Sequence, residues 1–472
     1  MRWLLSISSL ALLLGAAACP GFSAEGEYGC SSAADCEGVA GRPFCDPARK
    51  LCVDTLDPVD SGTPDGGGSD GGEPDGGQPD GGEPDGGGSD GGTSTPTCEY
   101  AAATCGANEY ACAREIDGCC PWAAEQILEG VTAFSSGRLL HEPLHGSSGL
   151  VLLHREHQPS QGDGLWLRRH DGSGWVDSGK IHSDAVFAAD FAIDARGDAW
   201  VIQALSGGVT NLLQVDTSNG NILDTKSIET SAGTEGISVA IDESGNPYVA
   251  WVPDNGLQVL GSSGVLIVDN VIGSASANST IERVAHAFDS QGELHLAWLE
   301  LGPGGYTVQI QKGAGSPEGL VAGFSGADPA THPREIVLAI DPLDRPVLVI
   351  PEYTTTGSLS KVVLYREGSV GFIRTVLDSG SYNTTPSTDM AEPTLALDAD
   401  GNAHVAWIFG RDTSAASIRY AIVNQQGGFI GPYEYPETAA FGIEGLGLTV
   451  VDGCDPVLVY QKDEGSALWL LR

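Results

Sequence analysis

The chain has 472 residues, of which 66 are glycine and only 18% are charged, a composition that excludes long charged helices and coiled coils and demands many turns. Asp and Glu number 63 against 23 Lys and Arg, and the net charge of -40 opposes phosphate backbones, which excludes nucleic acid as a partner. Eleven cysteines, all near the N-terminal side except Cys454, place the chain in an oxidising compartment.

Met1-Arg2, the apolar run Trp3 to Leu14 and the small residues Gly15-Ala16-Ala17-Ala18 have the layout of a secretory signal peptide over residues 1–18. The run is too short to cross a bilayer, and no later segment has 18 consecutive apolar residues. Cys19 follows directly, and Leu14-Gly15-Ala16-Ala17-Ala18-Cys19 resembles a bacterial lipoprotein signal. That resemblance implies a lipidated Cys19, carrying acyl chains such as palmitate, as first residue of the mature chain and a membrane contact through it. Ala16 stands where such signals carry Leu, Val or Ile, and ordinary cleavage near Cys19 is the alternative. Lipidation leaves ten cysteines, an even number, to pair as disulfides.

Residues 19–52 hold Cys30, Cys36, Cys45 and Cys52 in a piece too short and polar to keep a core without cross-links, so two disulfides are expected. The spacing C-x5-C-x8-C-x6-C lacks the paired hooks of a structural zinc site. The run CSSAADCEGVAGRPFCDPARKLCV resembles the small Cys-rich modules of deltaproteobacterial surface lipoproteins, which implies an envelope location, at the outer membrane and exposed to the outside. From Val53 to Thr97 there are eleven acidic residues, no basic one and the repeat PDGGE, PDGGQ, PDGGE. Residues 53–97 therefore read as a disordered, self-repelling tether.

A second cluster, Cys98, Cys105, Cys112, Cys119 and Cys120, occupies residues 98–120. Five is odd, so if all pair, one of them must reach Cys454. Closing so long a loop restrains the unfolded chain by about 4 to 5 kcal/mol on the chain-entropy model.

Over residues 121–472 the sequence repeats with a period of about 50 residues, the range of propellers, solenoids and arrays. The clearest copies are SVAIDESGNPYVAWV, AHAFDSQGELHLAWL and LALDADGNAHVAWI. In each, an apolar run ends at Asp, D-x-x-G follows, and a second apolar run begins, the pattern of a β-hairpin around a type I turn. The anchors are Asp194, Asp242, Asp289, Asp341 and Asp398, with degenerate members at Gly146 and Asp452, giving seven copies. Further short strands, such as Leu257 to Leu260 and Val265 to Val268, bring each copy to four strands, the content of a propeller blade. The last copy lacks a fourth strand, and Ile127 to Phe134 is available to supply it, removing an open edge. The expectation is an all-β chain: a seven-bladed β-propeller closed by an N-terminal strand, preceded by a disulfide module and a tether. The hairpin resembles NHL-like bacterial propeller repeats, without their Ala-Asp…Asn…Arg-Ile continuation; its Gly also lies one residue later than in the sialidase box S-x-D-x-G-x-x-W.

Four columns recur along the repeats. Ala192, Ala240, Ala287, Ala339 and Ala396, two residues before their anchors, let inner strands crowd around an axis. Trp251, Trp298 and Trp407 read as apolar fillers between blades. Trp200, Tyr248, His295 and His404 share one position, an exchange that metal ligation does not tolerate, so the histidines read as packing residues. Glu235, Glu282, Glu335, Glu392 and Glu444 stand at the starts of the inner strands, around one mouth of the channel, with Asp254, Glu300 and Glu352 on the same face. These acids read either as solvated or amide-bonded charge, or as a funnel for a basic peptide or a cation, calcium being the one weighed. Over residues 121–472 the sequence has no nucleophile elbow, H-E-x-x-H helix or phosphate loop. The leading expectation is a binding module for a protein or glycan, without catalytic residues or a required cofactor. The alternative is a hydrolase or lyase using acids at the mouth.

Overall fold

The chain divides into two units, Met1–Gly91 and Gly92–Arg472. A computed structural model describes, in the first unit, β1 (Phe44–Asp46) and β2 (Leu51–Val53), antiparallel with Cys45 opposite Cys52. In the second it describes residues 98–472 except 99, 101–104, 107, 114–117 and the connections 130–137, 142–148, 159–161, 172–173, 183–185, 206–208, 230–235, 253–255, 262–265, 269–279, 303–304, 325–335, 355–358, 382–389, 411–415, 437–442, 452–453 and 463–466. The signal peptide, Cys19, Cys30, Cys36 and the tether beyond Val53 lie outside the described residues.

In the second unit β3 (Glu109–Ala111) and β4 (Cys119–Pro121) form a short hairpin, and β5 (Ala124–Glu129) follows. Everything after is a succession of four-stranded antiparallel sheets. Blade one is β6 (Arg138–His141), β7 (Gly149–Gln158), β8 (Gly162–Asp171) and β9 (Trp175–His182). Blade two is β10 (Val186–Ile193) to β13 (Ile222–Glu229), blade three β14 (Ile237–Ile241) to β17 (Leu266–Val268), and blade four β18 (Thr280–Phe288) to β21 (Glu318–Phe324). Blade five is β22 (Val337–Ile340) to β25 (Gly371–Ser381), and blade six β26 (Met390–Leu397) to β29 (Phe429–Pro436). Blade seven takes β30 (Ile443–Val451), β31 (Asp455–Lys462) and β32 (Ala467–Leu471) from the C-terminal side and β5 from the N-terminal side. The chain is a seven-bladed β-propeller, closed as the strand count required.

The closing strand starts three residues earlier than Ile127. Ala124 stands opposite Leu471 and Glu129 opposite Ala467, and Ala123 and Arg472 exchange backbone bonds of 2.8 and 3.0 Å. That register is fixed from its N-terminal side, where Trp122 is buried and stacks on Tyr110 at 4.0 Å. Residues 130–134 lie outside the described residues.

The core lies between blades. Trp251 faces Trp200 and Ile202 of blade two, Trp298 packs with Ala250 and Val259 of blade three, and Trp407 packs with Val347 and Val349 of blade five. Second strands bury both faces, which is why their apolar residues run on without alternation; each such side chain contributes roughly 1.5 to 3 kcal/mol. The alanine column, on the innermost strands, is half-buried throughout.

The Asp turns form as the residue pattern dictates. Asp194, Asp242, Asp289, Asp341 and Asp398 each accept the amide of the fourth turn residue on their carbonyl, at 2.9 to 3.0 Å. Their Oδ1 atoms accept two further amides, two and four residues on, as at Asp398 from Asp400 and Asn402 at 3.0 and 2.7 Å. Gly401 closes its turn at φ 76°, where a Cβ is disfavoured. In blade five Asp344 occupies that place at φ 59°, and its carboxylate accepts the Ser290 amide and hydroxyl of blade four, both at 2.8 Å. In blade seven the turn runs from Val451 to Cys454, one residue before the expected anchor Asp452, because the Cys454 amide bonds the Val451 carbonyl. The first-blade anchor Gly146 lies outside the described residues.

Candidate functional site

Adjacent strands run in opposite directions, so connections after the second and fourth strands of every blade leave from one end of the propeller and the others from the opposite end. At the latter end the five Asp turns are built alike. At the former, the connections between blades differ widely, from 183–185 to 269–279 and 325–336. The acidic column belongs to this loop end, at the starts of the inner strands.

Glu235 and Glu335 lie outside the described residues, and Glu282 and Glu444 are placed by backbone alone, in β18 and β30. Glu392 is described in full and is half-buried. Its Oε2 accepts the amides of Gly445 and Leu446 at 2.6 and 3.3 Å, from the inner strand of the next blade. Both partners sit in irregularities: the register of β26 shifts between Ala391 and Thr394, and that of β30 between Glu444 and Gly447. A bulge frees amides from the ladder, and the neighbouring carboxylate accepts them. Glu282 occupies a bulge as well, since Ile281 pairs with Glu300 and Arg283 with Leu299. Other bonds join inner strands across blades: Asp190 Oδ2 accepts the Val239 amide at 2.9 Å, and Ser238 bonds His286 Nδ1 at 3.0 Å.

Of the further acids at this end, Asp254 lies outside the described residues. Glu352 is buried, accepts from the Tyr365 hydroxyl, and takes the Arg374 guanidinium at 3.1 and 2.6 Å. Burial, then the bond to Glu352, raises the Tyr365 hydroxyl well above the usual phenol range, so it donates and does not ionise. Glu300 is buried with Gln309 Nε2 at 3.3 Å from Oε2. Sequence reading missed a second ion pair here: Arg419 reaches Asp378 at 2.6 Å and Glu434 at 3.3 Å and lies 3.5 Å from the centre of the Phe409 ring, while Trp407 Nε1 also donates to Asp378. The acid and the base come from different blades, so no spacing pairs them.

The column of Trp200, Tyr248, His295 and His404 is more than packing. Trp200 Nε1 and His295 Nε2 stand 3.3 and 3.2 Å from Oδ2 of their anchors, His404 Nε2 stands 3.4 Å from that of Asp398, and the Tyr248 hydroxyl bonds Asp242. What the position requires is a ring carrying a donor, and Trp, Tyr and His all supply one. Blade five has Val347 there, and Arg345 and Arg366 converge on Asp341 Oδ2 instead, at 2.7 and 3.0 Å. Burial alone would raise Asp194, Asp242, Asp289 and Asp398, but the converging donors outweigh it and hold all four below the usual carboxylate range.

The second cysteine cluster pairs completely: Cys98 with Cys454, Cys105 with Cys119 and Cys112 with Cys120. Around the first bridge, the Tyr100 hydroxyl lies 2.8 Å from the Cys454 carbonyl, 3.1 Å from Asp398 Oδ2 and 3.0 Å from His404 Nε2. The Tyr420 hydroxyl stands 2.5 Å from His404 Nδ1 on the other side. Burial, and after it the charge of Asp398, pushes the Tyr100 hydroxyl far above the ordinary phenol range, which bars it as a nucleophile.

No family model matches this chain, and no curated protein does. Among solved structures it is similar to AofleA from Arthrobotrys oligospora, at 11% identity and a TM-score of 0.43, covering 70% of this chain and 94% of that one. It is also similar to BBS1N in complex with ARL6DN (9% identity, TM-score 0.46, 74% and 94% covered) and to the Dos1 propeller (10%, 0.42, 74% and 94%). At such values these neighbours carry nothing about activity, and the fold class rests on the seven sheets themselves.

Proposed function

We propose that this chain is an envelope lipoprotein, tethered through Cys19, whose propeller presents the connections of its loop end to a protein or glycan. The observation that carries this reading is the contrast between the two ends: near-identical Asp turns on one, and inter-blade connections as different as 183–185 and 325–336 on the other. A scaffold needs uniform turns, whereas variable loops on a rigid frame are where recognition is built. Two acids described at the loop end serve the frame: Glu392 is held by two amides and Glu352 by Arg374.

Two experiments test the reading. Cys19→Ser should move the chain from the membrane to the soluble fraction, and unchanged partition refutes the anchor. The full chain should be retained on a glycan panel or by one envelope protein, and replacing 325–335 with a Gly-Ser linker should weaken retention at unchanged melting temperature. Retention insensitive to loop-end replacements, but lost on changing the opposite turns, would place the binding face wrongly.

A further inference from the structure

We infer that Cys98, Tyr100 and the β3–β4 hairpin form a mechanical clip: the Cys98–Cys454 bridge diverts tension arriving from the N-terminal side away from β5, the strand that closes the propeller. The inference rests on the proposed N-terminal tether, which supplies the tension.

Alone, β5 is a poor closure under load. It is an edge strand with Ala124, Glu125 and Gln126 exposed, paired on one side, to β32. A pull entering at its N-terminal end falls first on the two bonds between Ala123 and Arg472, then on the Ala124 and Leu471 pair, and so along the strand. Antiparallel strands loaded from one end part bond by bond, and losing β5 exposes an open edge on blade seven.

The bridge changes the path of the force. Cys98 precedes β5 in the chain and is bonded to Cys454, at a sequence separation of 356, in the turn between β30 and β31. Both cysteines are buried, the Cys98 amide donates to Asp400 of blade six at 2.5 Å, and Tyr100 bonds the Cys454 carbonyl. Tension therefore enters blades six and seven directly. Because the bridge makes everything from Cys98 to Cys454 a closed loop, a pull between the tether and any point in that loop divides between two arms. Neither arm extends alone. Peeling β5 yields no length until the other arm, which holds blade six and β30, yields as well.

Single-molecule pulling on the full chain tests this, with one handle in the tether and the other at Val370, which is 98% exposed at a hairpin tip of blade five. With the bridge closed, extension is limited to the shorter arm, about 30 nm; with it open the longer arm, still shortened by the Cys105–Cys119 bridge, allows about 90 nm, at roughly 3.5 Å per residue. Cys98→Ser with Cys454→Ser should lower the first rupture force at least twofold and give the longer extension. Should that variant fail to fold, the native chain with its first handle moved to Glu125 keeps the bridge but loads β5 directly, and should show the same low first rupture. Equal first-rupture forces for tether and Glu125 attachment would overturn the inference. The force ratio is independent of Cys19 chemistry, so an unchanged membrane partition of Cys19→Ser refutes the anchor and leaves the mechanical result standing on its own.

Discussion

Removing the Glu392 side chain separates two accounts of the acidic column with opposite signs. In the structure Glu392 Oε2 accepts two amides of the next blade, at 2.6 and 3.3 Å. A hydrogen bond to a charged acceptor is worth about 1.5 to 3 kcal/mol; the site is half-buried and the second bond long, so the pair together should contribute about 2 kcal/mol. Glu392 also adopts φ 49°, where any Cβ costs about 1 kcal/mol relative to glycine. Glu392→Ala should therefore destabilise by about 2 kcal/mol, and Glu392→Gly by about 1 kcal/mol, since glycine relieves the backbone. Glu392→Gln should cost under about 1 kcal/mol, its amide oxygen accepting the same two donors. If the glutamates were instead a ring of mutually repelling charge, neutralising one would stabilise the fold. Urea unfolding of the full chain, followed by tryptophan fluorescence, measures the midpoint shift and its slope. An alanine variant as stable as the native chain, or a glutamine variant more stable, refutes the clasp.

Asp398→Asn should cost about 2 to 3 kcal/mol, because its new amide would face the donors of Asn402 and Tyr100, while Asp242→Asn, at a less buried turn, should cost about 1. The four anchors have folded pKa values below the unfolded value of 3.8. Their contribution is complete above that value and is lost as pH falls through the folded ones, so stability should be level from these groups above about pH 5 and decline below about pH 4, measurable as the urea midpoint against pH. His295→Phe should destabilise by about 1 to 2 kcal/mol by leaving Asp289 without its ring donor, and His295→Tyr should recover part of that loss in the same assay. Deleting 124–129 should lead to aggregation by exposing blade seven, whereas deleting 54–91 should leave the melting temperature within about 1 °C. Millimolar calcium and chelator should give melting temperatures within about 1 °C of each other; a rise abolished by Glu392→Gln would reinstate a cation at that position.

The frame was legible because its determinants are local. An Asp whose own carboxylate bonds amides two and four residues on writes the whole turn into five consecutive letters, and five copies made the period plain. The closure was legible by counting, since six cysteines and a missing strand leave few solutions. Register was less so. Blade seven turns at Val451 rather than Asp452, its Cys454 amide bonding the Val451 carbonyl, a backbone bond that no residue type announces.

The acidic column resisted reading for the opposite reason: its chemistry is not local. Gly445 lies 53 residues from Glu392, and it offers its amide because a bulge in the next blade has withdrawn it from the ladder, which neither sequence position announces. A recurring charge on a repeat invites a ligand, yet a repeat protein must also solve the same interface at every junction. Where inner strands meet, Glu392 accepts two amides freed by a bulge of the next blade, Asp190 accepts the Val239 amide, and Ser238 bonds the His286 ring, so each junction is closed by side chains that no local spacing pairs. The aromatic column obeys the same logic at the other end, where indole, phenol and imidazole are interchangeable because the anchor needs only a buried donor. A column that tolerates such exchange is reporting what the frame requires, which is why the proposed recognition is assigned to the connections of the loop end, where the repeats differ.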